Sequence, residues 1–304
     1  MVVRLDEERI GRVLSYETLI PAMERALASF SAGKVLQPVR NMMVIEEGRR
    51  YLGVMPVVAE HAMGAKLVSF YPANAGSDFP THMAMILLLD PDTGEPLAIL
   101  DGGLITEMRT AAVSAAVTKH LAASDSRVLA ILGSGVQAGA HFEALSQVRD
   151  FDEVRVWSRT PEHAERFATR HGARAMEAEA AVRGADVVVT ATSAREPILE
   201  GRWLKPGALV TAVGSPRPNW RELDDDAMTA STVVVDSREA VLKESGDVIL
   251  SKASIYAEAG EIFAGTKAKP AGTTVVFKSV GIATEDIATA RLVYDACRDE
   301  QQRS

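Results

Sequence analysis

The chain has 304 residues, of which 47% are hydrophobic and 24% charged, and its formal net charge is −8. That length suits two globular domains, and the acidic balance without a basic cluster argues against nucleic acid as the main partner. The one cysteine, Cys297, excludes an intramolecular disulfide framework. We expect a cytoplasmic protein without a membrane partner, because the N-terminal residues lack a signal-peptide pattern and no uncharged apolar run reaches about 18 residues.

The first hundred residues predict a strand-rich α+β domain. Apolar positions at helical spacing predict a helix over 15–30, and alternating residues over 35–58 predict two strands joined by a polar turn at 46–50. Further strands are predicted at 65–71, 83–89 and 97–100.

From Thr106 the pattern changes to a helix of small residues, followed by alternating strands and helices. Strands are predicted at 128–132, 153–157, 185–192, 208–213 and 232–236, and helices at 137–145 and 161–171. Such alternation requires crossover connections, which produce a parallel sheet. The sequence therefore predicts an α/β fold with a doubly wound domain from about 111 to 280 and a final helix over 284–297.

A glycine-rich turn directly after the strand at 128–132 has the spacing G-x-G-x-x-A. Gly133 permits the tight turn, Gly135 lets the backbone approach a pyrophosphate, and Ala138 allows close packing of helix on strand. Free N–H groups at the start of the following helix hold the anion. The pattern predicts a dinucleotide site; a glycine turn in an unrelated α/β domain is the alternative.

The end of the second strand bears on the choice of nucleotide. An NAD site usually carries a carboxylate there, whereas this chain has Ser158, Arg159 and Thr160. These residues suit a 2′-phosphate, so the sequence favours NADP(H) over NAD(H). The alternative is that Arg159 stacks on adenine or caps the next helix.

Three cations stand at positions where apolar or negative groups are expected. Arg40 and Lys66 each share a strand face with apolar residues, and an unpartnered buried cation is costly. Arg109 is predicted in the first turn of the helix beginning near Thr106, where the helix dipole disfavours positive charge. All three are explained if they bind one substrate carboxylate. The alternative is that each extends to solvent or pairs with one of the 41 acidic residues.

The histidines carry weaker signals. None of the six shows the paired spacing of metal ligands, so no metal site is predicted. His82 is a candidate substrate contact, although a hydrogen-bonded structural histidine is the commoner case.

Seven stretches make the chain similar to a known family over essentially its whole length. They are 64–74, 105–115, 131–138, 156–160, 214–225, 237–250 and 276–286. On these stretches the chain resembles the ornithine cyclodeaminase and mu-crystallin family. The resemblance implies a Rossmann-type doubly wound parallel sheet over 111–281, plus an α+β substrate-binding and dimerisation domain made of 1–110 with 282–304. It also implies a homodimer.

The resemblance also assigns site residues. Arg40, Lys66 and Arg109 match the family's carboxylate-binding residues, and Lys66 and Arg109 are the candidate catalytic residues. The positions that match dinucleotide contacts are Thr110, Gly133, Gly135, Val136, Gln137, Ala138, Ser158, Arg159, Thr160, Thr190, Ala191, Thr192, Val213, Lys278, Ser279 and Gly281.

One departure from the family pattern affects the expected reaction. Ornithine cyclodeaminases carry a catalytic Asp two residues after a glycine, where this chain has Pro216. The chain here resembles the ketimine reductase branch, in which Ser215 and Arg217 would line the substrate pocket. The expected function is therefore NAD(P)H-dependent reduction of a small carboxylate-bearing cyclic imine. Alternatives are an amino-acid dehydrogenase acting on alanine, an ornithine cyclodeaminase and a ligand-binding protein without turnover.

Overall fold

A computed structural model describes residues 2–74 and 76–303. The chain divides into two compact units, Met1–Arg109 with Ile282–Ser304, and Thr110–Gly281. The division after Arg109 lies one residue before the boundary expected from the sequence. We call these the first and the second unit.

The first unit contains a mixed six-stranded sheet and its helices. In chain order the elements are β1 (Val3–Leu5), α1 (Glu7–Val13), α2 (Tyr16–Ser31), β2 (Asn41–Glu46), β3 (Arg50–Ala59), β4 (Ala62–Phe70), β5 (His82–Leu89), β6 (Pro96–Asp101) and α3 (Gly103–Leu121). The strand order is β1-β6-β5-β4-β3-β2, and only the β1–β6 pair is parallel. Helix α3 continues from this unit into the second.

The second unit is a doubly wound parallel sheet. Its strands are β7 (Val128–Leu132), β8 (Glu153–Trp157), β9 (Arg174–Ala175), β10 (Val187–Thr190), β11 (Leu209–Ala212), β12 (Thr232–Val235), β13 (Ile255–Glu258) and β14 (Val275–Lys278). Its further helices are α4 (Val136–Leu145), α5 (Pro161–His171), α6 (Ala178–Val182), α7 (Asp225–Thr229), α8 (Arg238–Glu244), α9 (Gly246–Ser251) and α10 (Ala259–Phe263). The strand order β13-β12-β14-β11-β10-β7-β8-β9, with every pair parallel, confirms the predicted fold class.

The strand order fixes where a ligand can bind. From β7 the chain moves outward to β8 and later returns to β10 on the other side of β7. At such a reversal the loops leave the carboxyl ends of neighbouring strands in opposite directions and open a crevice. The residues after Leu132 and after Thr190 stand at this point, and the predicted glycine turn is the first of these two loops.

The last helix, α11 (Ala283–Arg303), belongs to the first unit. It packs against α2 and against β3, β4 and β5. Its first turn carries Glu285 and Asp286, where carboxylates are favoured by the helix dipole. The return of the chain thus brings two acidic residues to the covered face of the first sheet.

Every helix described between residues 2–74 and 76–303 is too short or too polar to traverse a lipid bilayer.

Candidate functional site

A buried ion cluster occupies the covered face of the first unit's sheet. Lys66 lies on β4, and its Nζ atom donates to Asp286 Oδ1 at 2.9 Å and to Thr106 Oγ1 at 2.7 Å. The side chain of Lys66 is 3% exposed and that of Asp286 is inaccessible. The lysine predicted from its misplaced charge is therefore buried and ion-paired.

Arg109 joins the same cluster from α3. Its Nε donates to Asp286 Oδ1 at 3.0 Å, and its guanidinium also contacts Glu285. The sequence-based placement of Arg109 in the first turn of its helix is wrong, because α3 begins at Gly103 and Arg109 lies in the second turn. The dipole effect expected for a positive charge in the first turn therefore does not apply at this position, and Arg109 is instead paired with the two carboxylates of α11.

Arg40 directly precedes β2 instead of lying in a strand, which corrects the predicted strand position. It is half-buried. Its positive charge lowers the pKa of both Lys66 and Asp286, so it lies near them. The structure therefore brings together the three cations that the sequence pattern singled out.

The cluster combines cations and carboxylates. Arg40, Lys66 and Arg109 act on the carboxylate of Asp286, and Arg109 also contacts Glu285. Burial lowers the pKa of Lys66 to about 8, against the opposing attraction of Asp286. Burial also raises the pKa of Asp286, but Arg109 and Lys66 outweigh it and hold that pKa below its ordinary value. Two guanidinium groups and one ammonium group are donors that suit a carboxylate ligand.

The sequence pattern does not predict the two carboxylates of this cluster. Glu285 and Asp286 end the last family-like stretch, yet no local pattern connects them to Lys66, which is 220 residues from Asp286. The alternative pairing of each cation with an acidic residue holds for Lys66 and Arg109. The two interpretations are compatible, because carboxylates behind a cation can orient it toward a ligand.

The glycine turn of the second unit has the geometry of an anion site. Gly133 adopts φ 127°, and a Cβ there would lie 2.6 Å from the carbonyl oxygen of Ala191. Gly135 caps α4, and an added Cβ would meet no heavy atom within 4 Å. Ala138 is fully buried, as close packing of helix on strand requires. The geometry at the three positions is compatible with the roles proposed from the spacing.

The start of α4 offers unused hydrogen-bonding groups. Among the described residues, none accepts a backbone hydrogen bond from Val136 or Gln137. The Gln137 Oε1 atom is buried, and no described residue donates to it. Open N–H groups at a helix start, with space beside Gly135, fit the diphosphate of a dinucleotide.

The loop after β8 lies beside the glycine turn. Ser158 accepts a hydrogen bond from Ser134 at 2.9 Å, so the two loops are joined. Arg159 is exposed, and Thr160 is the N-cap residue of α5. The Thr160 side chain makes no cap hydrogen bond at that helix start.

The remaining predicted dinucleotide positions differ in accessibility. Thr110 and Thr192 are half-buried, as are Ala191 and Val213, whereas Thr190 is fully buried. The side chain of Lys278 is fully buried: its Nζ donates to Gly214 O at 2.6 Å and lies 2.9 Å from Asp247 Oδ2. A direct contact from the Lys278 side chain to the nucleotide is therefore not supported.

The loop after Lys278 is held by one buried carboxylate. Asp236 Oδ2 accepts from the Ser279 hydroxyl at 2.8 Å and from the Gly281 N–H at 2.7 Å. Gly281 adopts φ 75°, a conformation that favours glycine. Asp236 thus fixes the segment through which the chain leaves the second unit.

The predicted substrate-pocket residues also differ in accessibility. The Ser215 hydroxyl is buried and donates to Ala194 O at 2.6 Å, so it is engaged within the protein, and its backbone adopts φ 51°. Arg217 is half-buried. His82 is exposed on β5, with its ring 4.3 Å from that of Phe70. Strained backbone at Ser215 is typical of functional loops.

The model of the ornithine cyclodeaminase/mu-crystallin family matches residues 2–301. The chain belongs to this family. Ketimine reductase mu-crystallin of Mus musculus is 50% identical over 298 residues, covering 95% of each chain.

Solved structures extend the similarity. Thermococcus litoralis Delta(1)-pyrroline-2-carboxylate reductase, in complex with NADH and L-proline, is 35% identical with a TM-score of 0.93, and the match covers 99% of this chain and 98% of that one. An archaeal alanine dehydrogenase dimer with bound NAD is 29% identical with a TM-score of 0.92, and the match covers 99% and 97%. The predicted class of protein, an NAD(P)-dependent oxidoreductase of this family, is confirmed.

Proposed function

We propose that this member of the family is an NAD(P)H-dependent reductase of small cyclic ketimines that carry a carboxylate. Candidate substrates are Δ1-pyrroline-2-carboxylate and Δ1-piperideine-2-carboxylate, which would give proline and pipecolate. The observation that carries the proposal is the cluster that brings Arg40, Lys66 and Arg109 together, with Lys66 and Arg109 buried and held by Asp286. The reductases among its relatives support the same substrate class.

The residues of the first unit would bind the substrate and supply a proton. Arg40 and Arg109 orient the carboxylate, since guanidinium groups suit that geometry. Lys66, with a pKa of about 8, is mostly protonated at pH 7 and delivers its proton to the imine nitrogen. When bound, a reduced nicotinamide would supply the hydride for the imine carbon, so that the protonated C=N bond is reduced to the CH–NH bond of the amino acid.

We further propose that the second unit binds NADP(H) in preference to NAD(H). The exposed Arg159 follows β8, where an NAD site would place a carboxylate. Ser158, joined to the glycine turn through Ser134, lies beside it. Arg159 would pair with the 2′-phosphate.

The outer face of the first unit's sheet supports assembly with a second copy of this chain. Its cross-strand neighbours are apolar, and seven of them are more than a third exposed: Met43, Val58, Leu67, Met83, Met85, Leu87 and Ile99. An apolar sheet face of this size normally marks a protein interface. We propose a homodimer through this face; the archaeal relative with bound NAD is itself a dimer.

One spectrophotometric screen tests the proposed reaction. Oxidation of NADPH and of NADH is followed with each cyclic ketimine, with pyruvate plus ammonia, and with no acceptor. We expect turnover with the ketimines. Turnover with pyruvate and ammonia alone would replace the proposal by alanine dehydrogenation, which the similarity to alanine dehydrogenase favours as second candidate.

Two further outcomes of the same experiment would contradict the proposal. Formation of proline and ammonia from ornithine, without ketimine reduction, would establish cyclodeamination despite Pro216. Binding of reduced nucleotide without turnover of any acceptor would establish a ligand-binding protein.

A further inference from the structure

A buried polar cluster in the second unit lies apart from the cations described above. Its central residue is Glu222, which is completely inaccessible. Oε1 of Glu222 accepts from the N–H and the hydroxyl of Thr192, both at 2.7 Å. Oε2 accepts from the Thr190 hydroxyl at 2.7 Å and from the Gly214 N–H at 3.0 Å. One carboxylate therefore joins the loop after β10 to the loop after β11.

Asp247 and Lys278 complete this Glu222 cluster. Oδ1 of Asp247 accepts from the backbone N–H groups of Glu222 at 2.8 Å and Leu223 at 2.9 Å. Its Oδ2 lies 2.9 Å from Lys278 Nζ, which in turn donates to the Gly214 carbonyl at 2.6 Å. The cluster thus fixes the ends of three strands, β10, β11 and β14, which are neighbours in the sheet.

The loops held in this way approach one another closely. A Cβ on Gly214 would lie 2.3 Å from Thr192 O and 2.4 Å from Glu222 Oε1, so only glycine fits there. Ala191, in the same loop as Thr192, has its carbonyl oxygen against Gly133 of the glycine turn. Displacement of Glu222 would therefore move groups that face the proposed nucleotide.

The position in the sheet indicates which half of the nucleotide is affected. In a doubly wound sheet the two mononucleotide halves lie on opposite sides of the point where strand order reverses. The adenosine half belongs with β7 and β8, where Arg159 stands. The strands joined by Glu222 lie on the other side of β7, which is the nicotinamide side.

We propose that Glu222 is a positioning residue for the nicotinamide half of the bound dinucleotide. This inference rests on the proposed nucleotide binding by the second unit. Glu222 has no accessible surface, so it acts through Thr192 and Gly214 and not by touching the cofactor. Burial raises the pKa of Glu222, although Lys278 opposes that effect. The carboxyl group holds the two loops in place through the four hydrogen bonds that it accepts from them.

The test compares the binding of the whole nucleotide with the binding of its adenosine half alone. Glu222→Gln keeps the shape but has one acceptor oxygen, so the amide nitrogen must face the N–H of either Thr192 or Gly214. Binding of NADPH is followed by nicotinamide fluorescence, and binding of adenosine 2′,5′-bisphosphate by calorimetry. Glu239→Gln, which changes an exposed carboxylate on α8 of the same unit, is the matched control.

We expect the Kd of NADPH to rise about tenfold or more in Glu222→Gln, because the loop whose buried N–H loses its acceptor shifts away from the position that binds the nicotinamide half. The Kd of the bisphosphate should change by less than about twofold on the same reasoning, and the control should change neither. If Glu222→Gln does not fold, Asp247→Asn replaces it, with the same expected changes in the two Kd values. Its amide oxygen can still accept from the N–H groups of Glu222 and Leu223, but the ionic contact to Lys278 is lost.

Equal weakening of both ligands, or no weakening of NADPH, would overturn the positioning role while leaving the proposed function intact. Failure of the wild-type protein to bind NADPH or NADH would instead contradict the proposed function itself.

Discussion

Lys66 and Asp286 form a buried ion pair, with 2.9 Å between Nζ and Oδ1, although 220 residues separate them in the chain. The pair joins β4, one of the two central strands of the first sheet, to the first turn of the last helix. Asp286 also accepts from Arg109. One carboxylate therefore orients two of the three cations proposed to bind substrate.

Replacement of Asp286 by Asn should shift the pH dependence of the reaction. In the native protein burial lowers the pKa of Lys66 to about 8, and the negative charge of Asp286 limits that decrease. Without this charge the pKa of Lys66 falls further, so the protonated lysine is lost at lower pH. We expect the alkaline decline of kcat/KM, centred near pH 8 in the wild type, to move to lower pH.

The same variant should lose stability and activity at neutral pH. Removal of one partner from a buried ion pair costs about 3–5 kcal/mol, so the melting temperature should fall as well. Asp295→Asn on the same helix, which removes a partly exposed pair with Arg291, is the control and should leave both the profile and the activity unchanged. An unshifted alkaline decline in folded Asp286→Asn would contradict the proton-donor role of Lys66.

Gly135→Ala should weaken nucleotide binding without affecting stability. The backbone at Gly135 has φ −84°, which alanine adopts freely, and the added methyl group meets no protein atom within 4 Å. It would project where the diphosphate approaches α4, so the Kd of NADPH should rise about tenfold or more. Calorimetric titration measures this directly.

Gly139→Ala is the matched control for that substitution. It lies on the same helix, and its added Cβ would be 3.9 Å from His171 Nε2. Unchanged affinity in Gly135→Ala, equal to that of the control, would show that the glycine turn does not hold the diphosphate.

The parts of the fold that could be predicted are those with local signals. Helix α5 was predicted over 161–171 and has those bounds, because Pro161 begins it and Gly172, with φ 67°, ends it. The strands β10 and β11 were recognisable as runs of apolar residues that are buried on both faces.

The start of α3 is harder to predict from the sequence. Gly103 is its first residue, and the Gly103 N–H donates to the Asp101 carboxylate at 2.8 Å. Glycine is a weak helix former, so the sequence pattern predicts the helix only from Thr106. The predicted start is three residues too late, and Arg109 is therefore predicted in the first turn although it lies in the second.

The acidic partners in the candidate site could not be predicted at all. Asp286 and Glu222 each accept hydrogen bonds from residues far away in the chain, and Lys278 forms an ion pair with Asp247. A single sequence gives residue types and local spacing, whereas these pairings depend on how the sheets bring distant segments together.

Arg159→Ala should reduce the preference for NADPH. Loss of a charge-assisted hydrogen bond to the 2′-phosphate is worth about 1.5–3 kcal/mol, so we expect KM for NADPH to rise at least about tenfold. KM for NADH should stay nearly unchanged, because NADH lacks that phosphate. Arg166→Ala, an exposed arginine of α5, is the control. A parallel change in both KM values would contradict the assignment.

Leu67→Glu should dissociate the proposed dimer. Leu67 lies on β4 within the apolar outer face and is 45% exposed, and a carboxylate buried in an apolar interface is strongly unfavourable. Light scattering after gel filtration should give twice the chain mass of 32.6 kDa for the wild type and once that mass for the variant. Leu242→Glu, on α8 of the second unit, should remain dimeric. A monomeric wild type would contradict the proposed assembly.

The most direct test of the reaction follows a deuterium label from nicotinamide to product. NADPH deuterated at C4, in each of its two stereoisomers, is incubated with the protein and Δ1-pyrroline-2-carboxylate, and the proline formed is analysed by mass spectrometry and NMR. We predict that one stereoisomer transfers its deuterium to the α-carbon, the atom next to the carboxylate that Arg40, Lys66 and Arg109 are proposed to hold. Absence of labelled proline with both stereoisomers would contradict hydride transfer to a carboxylate-bearing imine.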